Sequence, residues 1–379
     1  MEMAIGSRIA IIGGGPGGLM LARLLELRGV IATVFERDAH TGERPQGGSL
    51  DLHAESGQRA MRCAGLEAEF RAAARPEDQG DRLYDEHGTL LFDYDGVGDD
   101  RPEIDRTELR RILLGSLSTT EMRWGCRITG VRPTENGGYD VISDGISEHF
   151  DIVVGADGAW SRVRPLLSDA TPFYEGVTFI ELGFDASRHP SVDTLVGRGK
   201  MFAVGNNRAL IAQRNGHGHI RGYAGIRIPE AEAQNLAKRS TAEMRAIVRE
   251  AFDGWAPMLT RLIEDGQIIG VRQLYALPVG HHWISRPGLT MLGDAAHLMS
   301  PFAGEGVNLA LADAVDLADA LTAENGWSAV ERYEAEMVAR ATPAAEEAST
   351  GLNGVFSSTG ISDVLAHFKE RIEARIPAQ

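Results

Sequence analysis

Cysteine is nearly absent: the two in 379 residues, Cys63 and Cys126, show neither metal-ligand nor redox spacing. A chain this long builds a sizeable core without covalent staples, so both are expected as buried free thiols. Long apolar runs are missing as well. None approaches the roughly 18 to 20 residues that span a bilayer, and no basic amphipathic face is visible, so no membrane partner is expected. Positive charge is in deficit, with 38 Lys and Arg against 54 Asp and Glu and a net charge of −16. Such a chain repels phosphate backbones, and no basic cluster is interleaved with the aromatic residues, which excludes nucleic acid. The segment Met1 to Ser7 has no basic region and leads straight into a strand-like run, so no signal peptide is expected and the location reads as cytoplasmic. No grouping of His, Cys and carboxylates has metal-ligand spacing, and no metal is expected.

What is present is an ordinary globular composition, 43% apolar and 24% charged, with material for roughly two domains. Arg8 to Ile12 reads as a short buried strand. Gly18, Leu21, Ala22 and Leu25 then recur at helical spacing until Gly29, and Val30 to Phe35 forms a second strand. This βαβ opening predicts a parallel sheet. Arg106 to Leu117 reads as a helix, and Phe150 to Ala156 and Gly288 to Leu292 as further buried strands. A different texture lies between them, with β-like runs at Gly176 to Phe184, Lys200 to Gly205, Ala209 to Gln213 and His219 to Ile228, and a turn signal at Asn215-Gly216. In the last run Ile220, Ala224, Ile226 and Ile228 share one face, and His219, Arg221, Tyr223 and Arg227 the other. One face is core and the other meets water or a ligand. Ala310, Ala314, Leu317 and Leu321 mark a late helix. Ser328-Ala329-Val330-Glu331 is a capping-box signature for another, which Pro343 is expected to end or kink. The expected division is discontinuous: a nucleotide-binding domain from 1–73, 102–175 and 271–322, a substrate domain from 74–101 and 176–270, and C-terminal helices over 323–379.

The run Gly13-Gly14-Gly15-Pro16-Gly17-Gly18 is a GxGxxG placed directly after a strand and opening a helix. Gly13 permits the tight turn, Gly15 lets the backbone approach a pyrophosphate, and Gly18 allows close helix–strand packing. The helix N-terminus offers N–H groups and a positive dipole end to phosphate. Glu36, ending the second strand, stands where an acidic residue binds adenosine ribose hydroxyls. The alternative is a merely glycine-rich turn. By itself the motif does not choose between NAD(P) and FAD.

Two further turns follow apolar strands, Gly155-Ala156-Asp157-Gly158-Ala159-Trp160-Ser161-Arg162 and Gly293-Asp294-Ala295-Ala296-His297. They resemble the DG and GD motifs of flavoprotein aromatic hydroxylases, in the order specific to that family. The resemblance implies an α/β protein: a Rossmann-like FAD-binding domain of the para-hydroxybenzoate hydroxylase-like fold, a β-sheet substrate domain laid over the flavin, and C-terminal helices. It gives Asp294 the ribityl hydroxyls and associates Asp157 with FAD and nicotinamide handling. Taken alone, either aspartate could equally cap a turn. In the loop Pro301-Phe302-Ala303-Gly304-Glu305-Gly306-Val307-Asn308 small residues let backbone N–H groups approach a planar ring, and the following helix N-terminus favours negative charge there. The resemblance sets this loop against the isoalloxazine, assigning Pro301, Gly304, Gly306, Val307 and Asn308 to the cofactor, with Glu305 where Gln is more usual. An ordinary helix entry is the alternative.

The runs from Gly47 to His53 and from Glu103 to Leu114, with the GD segment, resemble the tetracycline-inactivating hydroxylases over essentially the whole chain. That likeness adds Gly48 and Asp51 to the cofactor set, puts Arg110 near the ribityl or phosphate region and Arg37 near the adenosine. The alternative for Arg106 and Arg110 is a solvated helix face. On the substrate side Glu181 replaces a polar amide, Lys200 an Arg, Phe202 a Met and Tyr223 a His, and Phe302 joins Phe202 and Tyr223 as a wall residue. His297 reads as structural.

The implied reaction is hydroxylation of an aromatic or enolic polycyclic substrate, such as a tetracycline: NADPH or NADH visits transiently, reduces FAD, and O2 adds to give a C4a-hydroperoxide that donates one oxygen. The site must be dry. No side chain is required to attack, so no catalytic residue is assigned. One GxGxxG, without a second, argues against two-dinucleotide-domain reductases and Baeyer–Villiger enzymes, and no WxWxIP segment supports a halogenase. A redox protein or sensor that binds FAD without oxygenating is the alternative. A monomer or weak oligomer is expected.

Overall fold

The computed structural model describes residues 6–43, 47–96 and 100–373. Two compact units emerge, each assembled from separated stretches: Met1–Ala74, Ile104–Phe173 and Tyr275–Ala348 in the first, Arg75–Glu103, Tyr174–Leu274 and Ser349–Gln379 in the second. The C-terminal helices do not form a unit of their own, since the helix Trp327–Val355 runs from one into the other.

The first unit is built on a five-stranded parallel sheet in the order Leu289–Met291, Ile152–Gly155, Ile9–Ile12, Ala32–Phe35, Glu121–Arg123. Its central strands, IAII and IVVG, are buried along their whole length, the pattern of a parallel strand covered on both faces. The helix Pro16–Leu27 follows the first strand with Pro16 in its first turn, where a missing N–H costs nothing, and it buries Leu19, Met20, Leu21, Leu24 and Leu25. It packs on the helix Gly306–Thr322 so closely that a Cβ on Gly17 would stand 3.2 Å from the Ala310 carbonyl oxygen. The predicted strand from Phe150 to Ala156 divides at Asp151. Ile146–Phe150 belongs to a separate three-stranded antiparallel sheet with Tyr139–Ser143 and Ile128–Pro133, and Ile152–Gly155 to the parallel one.

The second unit is a seven-stranded sheet in the order Gln267–Ala276, Phe173–Asp185, His219–Arg227, Arg208–Arg214, Gly199–Gly205, Gly80–Asp85, Leu90–Tyr94. Ile220, Ala224 and Ile226 enter its core with Met244 and Val248 from the helix Thr241–Ala251, Phe252 just past its end, and Leu259 and Leu262 from the helix Pro257–Asp265.

Two expectations are corrected and a third is narrowed. Cys63 is exposed and Cys126 half-buried, so neither thiol sits in the core. The capping-box signature at Ser328 caps nothing, because the helix already begins at Trp327; the box that forms is Ser240 with Glu243. Of the two outcomes expected at Pro343, an end to the helix is overturned, since it continues to Val355; on the residue just before, the Thr342 hydroxyl donates to the Val338 carbonyl one turn back at 2.7 Å. Among the described residues no helix is long and apolar enough to cross a membrane.

Candidate functional site

The glycine turn is shaped by contacts that exclude any Cβ. Gly13 has φ +113°, and a methyl there would lie 2.3 Å from the Ala156 carbonyl oxygen; on Gly18 it would lie 2.1 Å from the Gly13 carbonyl oxygen. A Cβ on Gly15, by contrast, would meet nothing within 4 Å, which leaves an open cradle at the helix N-terminus. Glu36 is buried and holds the turn from behind: Oε2 accepts from the Gly14 N–H at 2.9 Å and Oε1 from the Asp38 N–H at 2.9 Å. A carboxylate has about four acceptor directions, so capacity remains for a ribose hydroxyl. Arg110 is not a solvated helix residue. Buried over the Trp124 ring, it donates to the Gly14 carbonyl at 3.2 Å and lies 3.5 Å from Glu36 and 3.3 Å from Asp38. It therefore braces the cradle. Arg37 is exposed.

At the DG turn, the Arg162 N–H donates to Asp157 Oδ2 at 2.6 Å, while Oδ1 is buried with no hydrogen-bond partner among the described residues. Burial holds this carboxyl above the usual range, against the pull of its hydrogen bonds. An orphaned acceptor beside an open glycine turn fits a donor supplied by a ligand. Arg164 ties this turn to the next by donating to the Ala295 carbonyl at 3.0 Å. At the GD turn Asp294 is exposed as the first residue of the short helix Asp294–His297, three residues past the strand Leu289–Met291, whereas its neighbours are locked from beneath. Asp313, fully buried, accepts from the Gly293 N–H at 3.0 Å, from His297 Nε2 at 2.6 Å and from Arg340 at 2.9 Å. Burial would push the His297 imidazole down, but the Asp313 carboxylate outweighs it and raises it. His297 is thus structural, and sequence periodicity gave no sign of its partner sixteen residues on.

The loop before the helix Gly306–Thr322 turns at Gly304, φ +70°. Asn308 is buried and clamps the segment after strand Ser49–Asp51, accepting from the His53 N–H at 2.9 Å and donating to the Asp51 carbonyl at 3.0 Å. The His53 ring lies between Asp51 and Glu305. Burial alone would lower its pKa, yet the two carboxylates lift it to about 9. Gly48 accepts from the Arg106 N–H at 3.2 Å, Val307 packs on the core of the unit, and Pro301, Gly304 and Gly306 leave their surroundings open or lightly covered. Phe302 is half-buried in the same loop.

In the second unit, cross-strand register places Glu181 opposite Tyr223, Tyr223 opposite Ile211, and Ile211 opposite Phe202; the next row runs Arg221, Gln213, Lys200. The structure therefore brings Glu181, Lys200, Phe202 and Tyr223 onto one sheet face, opposite to the core. Phe179 packs on Tyr223 and Phe356, and Phe202 on Phe368. The two charged residues are engaged. Glu181 is buried between Arg221 at 3.1 Å and Arg272 at 2.7 Å, and Lys200 lies 3.5 Å from buried Glu103, which also accepts from Gln213 at 2.9 Å.

A glycine cradle, an acid at the second strand and aspartates on two later turns of one parallel sheet define a dinucleotide-binding enzyme with an added sheet-built unit. The chain belongs to the FAD binding domain family, which matches residues 7–348. It is 33% identical to monooxygenase asqM of Emericella nidulans, over 83% of each chain. A putative FAD-containing monooxygenase from Photorhabdus luminescens shares the fold at TM-score 0.79 and 25% identity, covering 93% of this chain and 99% of the other. Tetracycline destructase Tet(51) shares the fold at TM-score 0.75 and 19% identity, covering 98% and 96%. FAD is the cofactor and monooxygenation the class of reaction.

Proposed function

We propose that the protein is an NAD(P)H-dependent hydroxylase of flat aromatic or enolic polycyclic compounds, a class that includes tetracycline-type molecules. The strip Phe179, Tyr223, Ile211 and Phe202 across four neighbouring strands carries this reading, because it offers apolar and aromatic surface edged by Arg221, Gln213 and Lys200. Bound FAD would supply the electrons of NAD(P)H and activate O2 for insertion of one oxygen atom.

The chain's own residues bind, orient and shield. The cradle at Gly13 to Gly18 and the helix behind it receive the pyrophosphate; Glu36 meets the adenosine ribose, with Arg37 beside it; Asp294 and Asp157 meet the ribityl side. Gly48, Asp51 and the loop residues Pro301, Gly304, Gly306 and Val307 present backbone to the ring system, with Asn308 and Arg110 holding those segments in place. Tyr223 and Phe202 take the flat face of the substrate. Glu181 and Lys200 act through the arginines and Glu103 that they fix, rather than as free contacts.

Purified protein would be tested for NADPH and NADH oxidation against tetracyclines and simple phenols, with product mass measured. Substrate-stimulated oxidation and a gain of one oxygen atom are expected. Nicotinamide consumption that no compound stimulates, with only peroxide formed, would replace this reading with that of a flavin redox protein.

A further inference from the structure

His53 is held where both ring nitrogens meet carboxylates. Nε2 lies 3.4 Å from Asp51 Oδ2 and Nδ1 lies 3.1 Å from Glu305 Oε1, with the side chain only 8% exposed. A neutral imidazole has one N–H and one lone pair, so either tautomer would aim a lone pair at a carboxylate oxygen. Only the imidazolium donates on both sides. Asn308 accepts from the His53 N–H and so anchors the main chain that carries the ring. On the adjoining helix Gly57–Cys63, Arg59 pairs with Asp316 and Arg62 donates to the Ala54 carbonyl, both directed elsewhere. Among the described residues the charges facing the ring are thus Asp51 from the strand Ser49–Asp51 and Glu305 from the loop before the helix Gly306–Thr322.

We propose that His53 is a resident imidazolium, a positioning residue that fastens the loop around Glu305 to the strand Ser49–Asp51 and cancels the charge of Glu305 at the helix N-terminus. Position 305 otherwise adds a full negative charge where the helix dipole favours an anion. With His53 charged, the pair behaves as a neutral group and the trio with Asp51 carries one negative charge. The consequence for the flavin rests on the reading that this loop faces it: the reduced, anionic cofactor is then tolerated beside Glu305.

The test uses the FAD-loaded protein at pH 7, reading FAD retention, the two-electron midpoint potential, and the protonation of His53 from its ring NMR resonances. Glu305→Gln removes one negative charge and is expected to shift the reduced-to-oxidised preference about tenfold toward reduced, a midpoint about 30 mV higher. His53→Gln is expected to shift it about tenfold the other way. The double variant restores the wild-type net charge and the wild-type midpoint, which a merely structural role of His53 would not achieve. If His53→Gln does not fold, Glu305→Gln and the titration still decide. A His53 ring that is neutral at pH 7 overturns the proposal. A ring protonated beyond pH 8 with a midpoint unmoved in Glu305→Gln keeps the fixed cation but overturns its role toward the flavin, and with it the placement of the loop.

Discussion

Replacing Asn308 by Ala removes a side chain that makes two hydrogen bonds to one stretch of backbone. The His53 N–H, at 2.9 Å, and the Asp51 carbonyl, at 3.0 Å, both lose their partner in a place where Asn308 itself is fully buried. A buried polar group left unsatisfied costs about 1–3 kcal/mol, so the variant, which strands two, is expected to lose about 2–6 kcal/mol. At about 2–4 °C per kcal/mol for a unit of this size, the melting midpoint falls by roughly 4 to 24 °C. Asn308→Asp is the informative companion: it keeps an acceptor for the His53 N–H but sets a second acceptor 3.0 Å from the Asp51 carbonyl in a buried place, and its loss should be at least that of Ala. Urea unfolding of flavin-free protein measures both. If both variants unfold like the wild type without FAD and differ from it only in FAD affinity, then Asn308 contacts the cofactor directly and the clamp is refuted.

Gly13→Ala must take a left-handed backbone and a methyl 2.3 Å from a carbonyl oxygen, so it should abolish FAD retention as read from the flavin absorbance of the purified protein. Asp294→Ala, at an exposed position, should lower FAD retention with a melting temperature within about 2 °C of wild type in flavin-free protein, since exposed substitutions shift stability little. Glu181→Ala leaves the largely buried Arg221 without its carboxylate, while the half-exposed Arg272 is taken up by water, and should cost about 1–3 kcal/mol in denaturant unfolding, whereas an unchanged midpoint would show the trio to be solvated. His53 titrates near 9 in the folded protein against about 6.5 unfolded, so its contribution of about 3 kcal/mol is full below pH 6.5 and fades as pH rises through 9. His53→Gln should flatten that limb of a stability–pH curve.

The parts of the site set by backbone shape were legible in the sequence. Gly13 and Gly18 have no substitute at a positive φ and a 2.1 Å approach, Gly15 leaves the cradle open, and the alternation in His219 to Ile228 did separate a core face from the opposite one. What stayed hidden were partners distant in sequence. Nothing near Arg110 announces Gly14, nothing near His297 announces Asp313 and Arg340, and the tie of Asn308 to residues 51 and 53 spans more than 250 positions. One local signal went unused: Asp144-Gly145, both at positive φ, is a hairpin turn of the kind that predicts the antiparallel strands Tyr139–Ser143 and Ile146–Phe150. At Ser328 a correct motif had no helix start to cap, because the helix begins one residue before it.

Supplying heavy-isotope dioxygen to the FAD-loaded protein with NADPH and an accepted phenol or tetracycline tests the assignment most directly. One labelled oxygen atom in the product is the predicted result. Unlabelled product, or label recovered only as hydrogen peroxide across the whole panel, would contradict it.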